Sequence, residues 1–140
     1  AENRLHVIMD VLAYIPTLDI HLTFLNAPNV IQLSRSGTTP EAFKSQAHSQ
    51  IVHAFSTIDV KYKTPTRRSL TRSFEIAASQ PSPTIHYLLT DGVPTDATID
   101  EISTLISNRF NPAANPVTLI SCTNEDSESE WMKEIEERAP

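Results

Sequence analysis

Ile85-His86-Tyr87-Leu88-Leu89-Thr90-Asp91-Gly92-Val93-Pro94-Thr95-Asp96 is the stretch on which the fold turns. A run of strand-forming apolar residues stops at Thr-Asp-Gly, where a turn and a helix start follow. In open α/β sheets, ligands bind just beyond the carboxyl ends of the strands, so a carboxylate at position 91 is placed to face a cation. The competing reading is that Asp91 only closes an Asx-turn beside Gly92.

Outward from this stretch, helical and strand patterns alternate. Residues 84–90 and 117–122 read as strands covered on both faces, as in a parallel sheet, because each is almost uniformly apolar. Between them, Ile99 to Phe110 repeats at helical spacing, with Ile99, Ile102, Leu105 and Ile106 inward. A last amphipathic helix starts at Ser127 or Ser129 and turns Trp131, Met132 and Ile135 inward. Upstream, Thr66 is predicted to cap a helix that buries Leu70, Phe74 and Ala77 or Ala78. Pro65 keeps Thr64 out of that helix.

The first half opens with a helix over residues 4–15, whose inward face is Leu5, Ile8, Leu12 and Ile15. Asp19 to Leu25 alternates, with Ile20, Leu22 and Phe24 on one side and His21 solvated on the other. A turn at 26–29 and a short strand at 30–33 complete a hairpin. Thr38 or Thr39, followed by Pro40 and Glu41, starts a helix carrying Phe43, Ala47, Ile51 and Phe55 inward. It ends near Ile58, and an extended link covers 59–63. Strand–helix alternation over one 140-residue chain predicts a single α/β domain with a doubly wound, mostly parallel sheet.

Composition narrows the function. Hydrophobic content of 39% and charged content of 20% fit a globular chain with one sizeable core. No apolar run approaches the ~20 residues that a membrane helix needs. Only Gly37 and Gly92 are glycines, which excludes glycine-rich phosphate loops. The net charge of −6 argues against general nucleic-acid binding. The basic run Lys61, Lys63, Arg67, Arg68 and Arg72 reads as a solvated helix face. Cys122, the single cysteine, reads as a small hydrophobe in a strand. Its solitude and the lack of Asn-x-Ser/Thr sequons favour an intracellular, cytoplasmic protein. His48 and His53 are five apart and do not make the i, i+4 zinc pair.

Thr64-Pro65-Thr66 opening a helix, and Leu88-Leu89-Thr90-Asp91-Gly92-Val93-Pro94 ending the next strand, together resemble a von Willebrand factor A domain. The early helix and hairpin, the strand Val117-Thr118-Leu119-Ile120-Ser121-Cys122-Thr123 and the helix through Trp131 extend the resemblance over nearly all of the chain. The resemblance implies a strand order 3-2-1-4-5-6 and a metal-ion-dependent adhesion site at the carboxyl edge. In that site Thr64 and Asp91 would be metal ligands for Mg²⁺, or for Mn²⁺ or Ca²⁺, completed by an acidic residue of a protein partner. The family's Asp-x-Ser-x-Ser loop is absent. Asp126-Ser127-Glu128-Ser129 has the wrong spacing and stands at a helix start. The expectation is an N-terminally truncated domain whose central first strand and main metal loop precede Ala1. The resemblance therefore implies a non-enzymatic interaction module with an incomplete adhesion site. The alternatives are a magnesium-dependent hydrolase or phosphatase using Asp91, and an interaction domain that needs no metal.

Overall fold

The computed structural model describes residues 1–59 and 63–139; the predicted link at 59–63, with Lys61, lies largely outside them. The chain is mixed α/β and divides into two compact units, Ala1–Lys61 and Tyr62–Pro140.

In the first unit, α1 (Glu2–Leu12) is followed by β1 (Asp19–Phe24), β2 (Ala27–Ser34) and α2 (Pro40–Thr57). The expected hairpin forms: β1 and β2 pair antiparallel, with Ile20 opposite Leu33 and a register shift at Thr23/Phe24. The turn is tighter than the predicted 26–29, because pairing continues to Ala27. Thr39 caps α2 by accepting from the Ala42 amide at 3.1 Å, and Pro40 supplies a first-turn residue that needs no N–H partner. Phe43, Ala47, Ile51 and Ala54 are its buried face, with Ala54 in the place expected for Phe55. Phe55 instead meets Phe24 edge to face, with ring centroids 5.4 Å apart.

The inward face of α1 differs from the predicted one. Leu5, Met9 and Ala13 are buried, while Ile15 is exposed. The sequence offers two stripes of similar apolarity, and packing against α2 selects the one at strict i, i+4, i+8 spacing. Arg35 fastens the end of α1 by donating from Nε to the Ala13 carbonyl at 2.7 Å.

In the second unit, α3 (Thr66–Ala78), β3 (His86–Thr90), α4 (Ile99–Ser107), a 3₁₀ turn (Pro112–Ala114), β4 (Val117–Ser121) and α5 (Asp126–Arg138) follow in order. β3 and β4 pair in parallel, with His86 opposite Val117 and Thr90 opposite Ser121, and α4 makes the connection. Trp131, Met132 and Ile135 are buried as expected. The helix α4 begins at a complete capping box, Thr98 with Glu101, and stops at Ser107, leaving Phe110 exposed.

Two expectations fail here. The strand β3 is not covered on both faces: His86, Leu88 and Thr90 are buried, but Tyr87 is 42% exposed. Among the described residues β3 pairs only with β4, a two-stranded sheet, whereas full cover on both faces belongs to larger parallel sheets. Thr66 does not cap α3 either; it already belongs to the helix and is 0% exposed.

Candidate functional site

The cap of α3 comes from the loop after β3. The Asp96 carboxylate accepts from the amides of Arg67, at 3.0 Å, and Arg68, at 2.9 Å. One oxygen serves each donor, so the first turn of α3 is satisfied by a carboxylate at the favourable end of its dipole. Thr95 adds a two-way tie: its amide donates to the Thr64 carbonyl at 2.9 Å, and its hydroxyl accepts from the Thr64 amide at 3.0 Å. The loop 91–96 is thereby held against the start of α3. No sequence motif announces this role for Asp96 or Thr95, because the partners are about thirty residues apart in the chain.

The tie brings the two predicted ligand positions to neighbouring backbone. A Cβ placed on Gly92 would stand 3.0 Å from the Thr64 hydroxyl oxygen. A side chain at 92 would press on that oxygen, so glycine suits this position by proximity rather than by a left-handed backbone. Asp91, next in the chain, is exposed, and among the described residues its carboxylate has no hydrogen-bond partner. The Asx-turn reading does not describe this turn. The Gly92 amide donates to the Thr90 hydroxyl at 3.3 Å, so Thr90 closes the turn. The Thr90 carbonyl continues the ladder by accepting from the Cys122 amide at 2.9 Å.

The donors at this edge are oxygens, the chemistry of a hard cation such as Mg²⁺. A neutral hydroxyl and one carboxylate fill only part of a six-oxygen shell. Among the described residues, no group of three or more His, Cys, Asp or Glu is arranged to hold a metal ion.

Other clusters in the same unit are polar without being placed at this edge. The buried His86 ring accepts at Nδ1 from the Ser73 hydroxyl at 2.7 Å, with Nε2 3.4 Å from Asn115 Oδ1. These partners select the tautomer protonated at Nε2. Burial pushes the His86 pKa below the usual histidine value; the Asn115 contact opposes this shift and the Arg109 charge adds to it. Phe74 stands edge-on to the ring, at 5.0 Å between centroids. The sequence marks His86 only as the odd residue in an apolar run. An open cleft of about 650 Å³ lies between α3 and α4, floored by Phe74, Ala78 and Leu105, and Asp91 does not line it.

No protein-family model matches this chain, and neither a characterised protein nor a solved structure is similar to it. Among the described residues, no helix is long and apolar enough to cross a membrane.

Proposed function

We propose that this chain is a non-enzymatic protein-interaction module of von Willebrand factor A type, carrying part of a divalent-cation adhesion site. The observation that supports this reading most is at the end of β3. The Thr64 hydroxyl packs against the Asp91–Gly92 turn, while the exposed Asp91 carboxylate takes no part in closing it. A carboxylate spared from local structure at the end of a parallel strand is available to a ligand.

The architecture we propose is a doubly wound sheet whose central first strand is not among these 140 residues. In the order 3-2-1-4-5-6, that strand divides the hairpin pair from the parallel pair. The two separate two-stranded sheets, β1–β2 and β3–β4, are consistent with its absence. Thr64 and Asp91 would hold Mg²⁺ or Mn²⁺ jointly with residues outside this sequence, in an intracellular setting. When bound, the cation would offer an open position to an acidic group of the partner.

The test is calorimetric titration of Mg²⁺ and Mn²⁺ into this chain and into a chain extended upstream through an Asp-x-Ser-x-Ser segment. We expect weak or no binding by the 140 residues alone. Magnesium dehydrates reluctantly and wants six well-placed oxygens, which two ligands do not supply. The extended chain should bind, and Asp91→Ala should abolish that binding. Tight binding by the short chain would mean that the site is elsewhere. Binding by the long chain that survives Asp91→Ala would remove Asp91 from it.

A further inference from the structure

We infer that His6, Asp10 and His48 form a binding site for a divalent ion of the zinc class, which would join α1 to α2 within the first unit. His6 and Asp10 stand one turn apart on the same face of α1. His48 reaches them from α2. Its Nε2 lies 2.9 Å from Asp10 Oδ1, and its ring centroid lies 4.2 Å from that of His6. The spacing of His48 and His53 along α2 does not suit a shared ion, but the fold brings His48 a second imidazole from the other helix. The His6 Nδ1 atom is buried and has no hydrogen-bond partner among the described residues. On the other side of that ring, a Glu2 carboxylate oxygen is 3.6 Å from Nε2, which favours the tautomer protonated there. Nδ1 then carries a buried lone pair that the protein leaves unused, a cost that a bound cation removes. A carboxylate behind the ring is also the usual outer partner of a histidine that ligates zinc.

In the arrangement described, His48 and Asp10 are bonded to each other, and no three donors stand around one point. The ion takes the place of the proton that this pair shares, and the proton leaves to solvent. A nitrogen and an oxygen bound to one tetrahedral zinc are about 3.4 Å apart, so the pair opens by about half an ångström. Two imidazoles on such an ion have ring centroids about 5 Å apart, so the two rings part by about 1 Å. Side-chain rotation supplies both shifts, because Asp10 and His48 are half-exposed. Water fills the fourth position, as in zinc sites with three protein ligands. Two imidazoles and a carboxylate select zinc, cobalt or nickel over magnesium, which prefers oxygen alone. The inference is therefore independent of the oxygen site at Asp91 and of the interaction-module reading.

The experiment is calorimetric titration of Zn²⁺ into the 140-residue chain with Mg²⁺ in excess, so that the Asp91 site cannot decide the outcome. One Zn²⁺ should bind per chain, with micromolar affinity. His6→Ala, Asp10→Asn and His48→Ala should each weaken binding by about tenfold or more, while His53→Ala leaves it unchanged. A second measurement needs no variant and so decides even where a substitution prevents folding. Co²⁺ titrated into the unaltered chain should broaden the ring-proton resonances of His6 and His48 well before those of His21, His53 and His86. No binding of Zn²⁺ would leave the Asp10–His48 contact as an interhelical hydrogen bond only, and would overturn the proposal. Full affinity in any one of the three ligand variants would remove that residue from the site and overturn it as a three-ligand centre. Equal weakening by His53→Ala, or equal broadening of all five histidines, would show unspecific binding to imidazole and overturn it as well.

Discussion

The hairpin β1–β2 and the parallel pair β3–β4 are both two-stranded sheets, yet they leave different needs behind. An antiparallel hairpin tolerates one face in water, and β1 places His21 there at little cost. Parallel strands are normally covered on both faces, and β3 leaves Ile85 and Tyr87 in solvent. The α2 start in the hairpin half is capped locally by Thr39, as the α4 start in the parallel half is by Thr98. The start of α3 differs from both: it is capped by Asp96, from beyond the next strand. The long-range ties from Thr95 and Asp96 to the start of α3 lie at the candidate site.

Removing the heart of each region tests that contrast with the largest effect. Phe43 and Ile102 are both 0% exposed, one in each unit. Phe43→Ala should cost about 3–5 kcal/mol and Ile102→Ala about 2–5 kcal/mol in urea unfolding. Amide protection should fall mainly in the unit that carries the substitution. Equal loss in both would show that they unfold as one.

The two glycines sharpen the comparison. Gly92→Ala pushes a methyl to 3.0 Å from the Thr64 oxygen, and the overpacking should cost about 1–3 kcal/mol. Gly37 has φ +74° with open space around it, so Gly37→Ala should cost only the left-handed penalty, about 1–2 kcal/mol. Thermal melts of the two variants suffice. If Gly92→Ala melts with the unaltered chain, the close approach of Thr64 to the turn is wrong.

Asp96→Ala should cost about 1 kcal/mol, the usual worth of a helix cap, with exchange rising first at the amides of Arg67 and Arg68. Thr39→Ala is its local counterpart in the hairpin half.

The smallest effect is a pH slope. The folded pKa of His86 is lowered by burial, so the unfolded chain binds a proton there more readily. Its contribution to stability is complete above the unfolded histidine value, about 6.5, and is lost as pH falls from there through the lower folded value. His86→Gln should flatten that part of the urea-midpoint profile. An unchanged slope would assign the acid sensitivity to other groups.

Local chemistry made much of this legible. The apolar run ending at Thr90, the proline after Thr39 and the spacing of Trp131, Met132 and Ile135 act within a few residues, so the elements they specify are readable in order. The face of α1 is not legible because Leu5 belongs to two stripes, and only packing on α2 separates them. A threonine at a helix start suits the capping of α3, yet the structure buries Thr66 and brings in Asp96 for that task.

By itself the sequence determined the order of strands and helices and offered Thr64 and Asp91 as a candidate pair. Propensity, capping and turn chemistry are short-range, and the pair came with a resemblance carried by contiguous motifs. Only the tertiary structure decided that Thr90 rather than Asp91 closes the turn and that Gly92 lies close beneath the Thr64 hydroxyl. It alone paired β3 with β4 and, among the described residues, with no other strand. Each of these depends on backbone segments far apart in the chain meeting within hydrogen-bond or van der Waals distance, which no local pattern encodes.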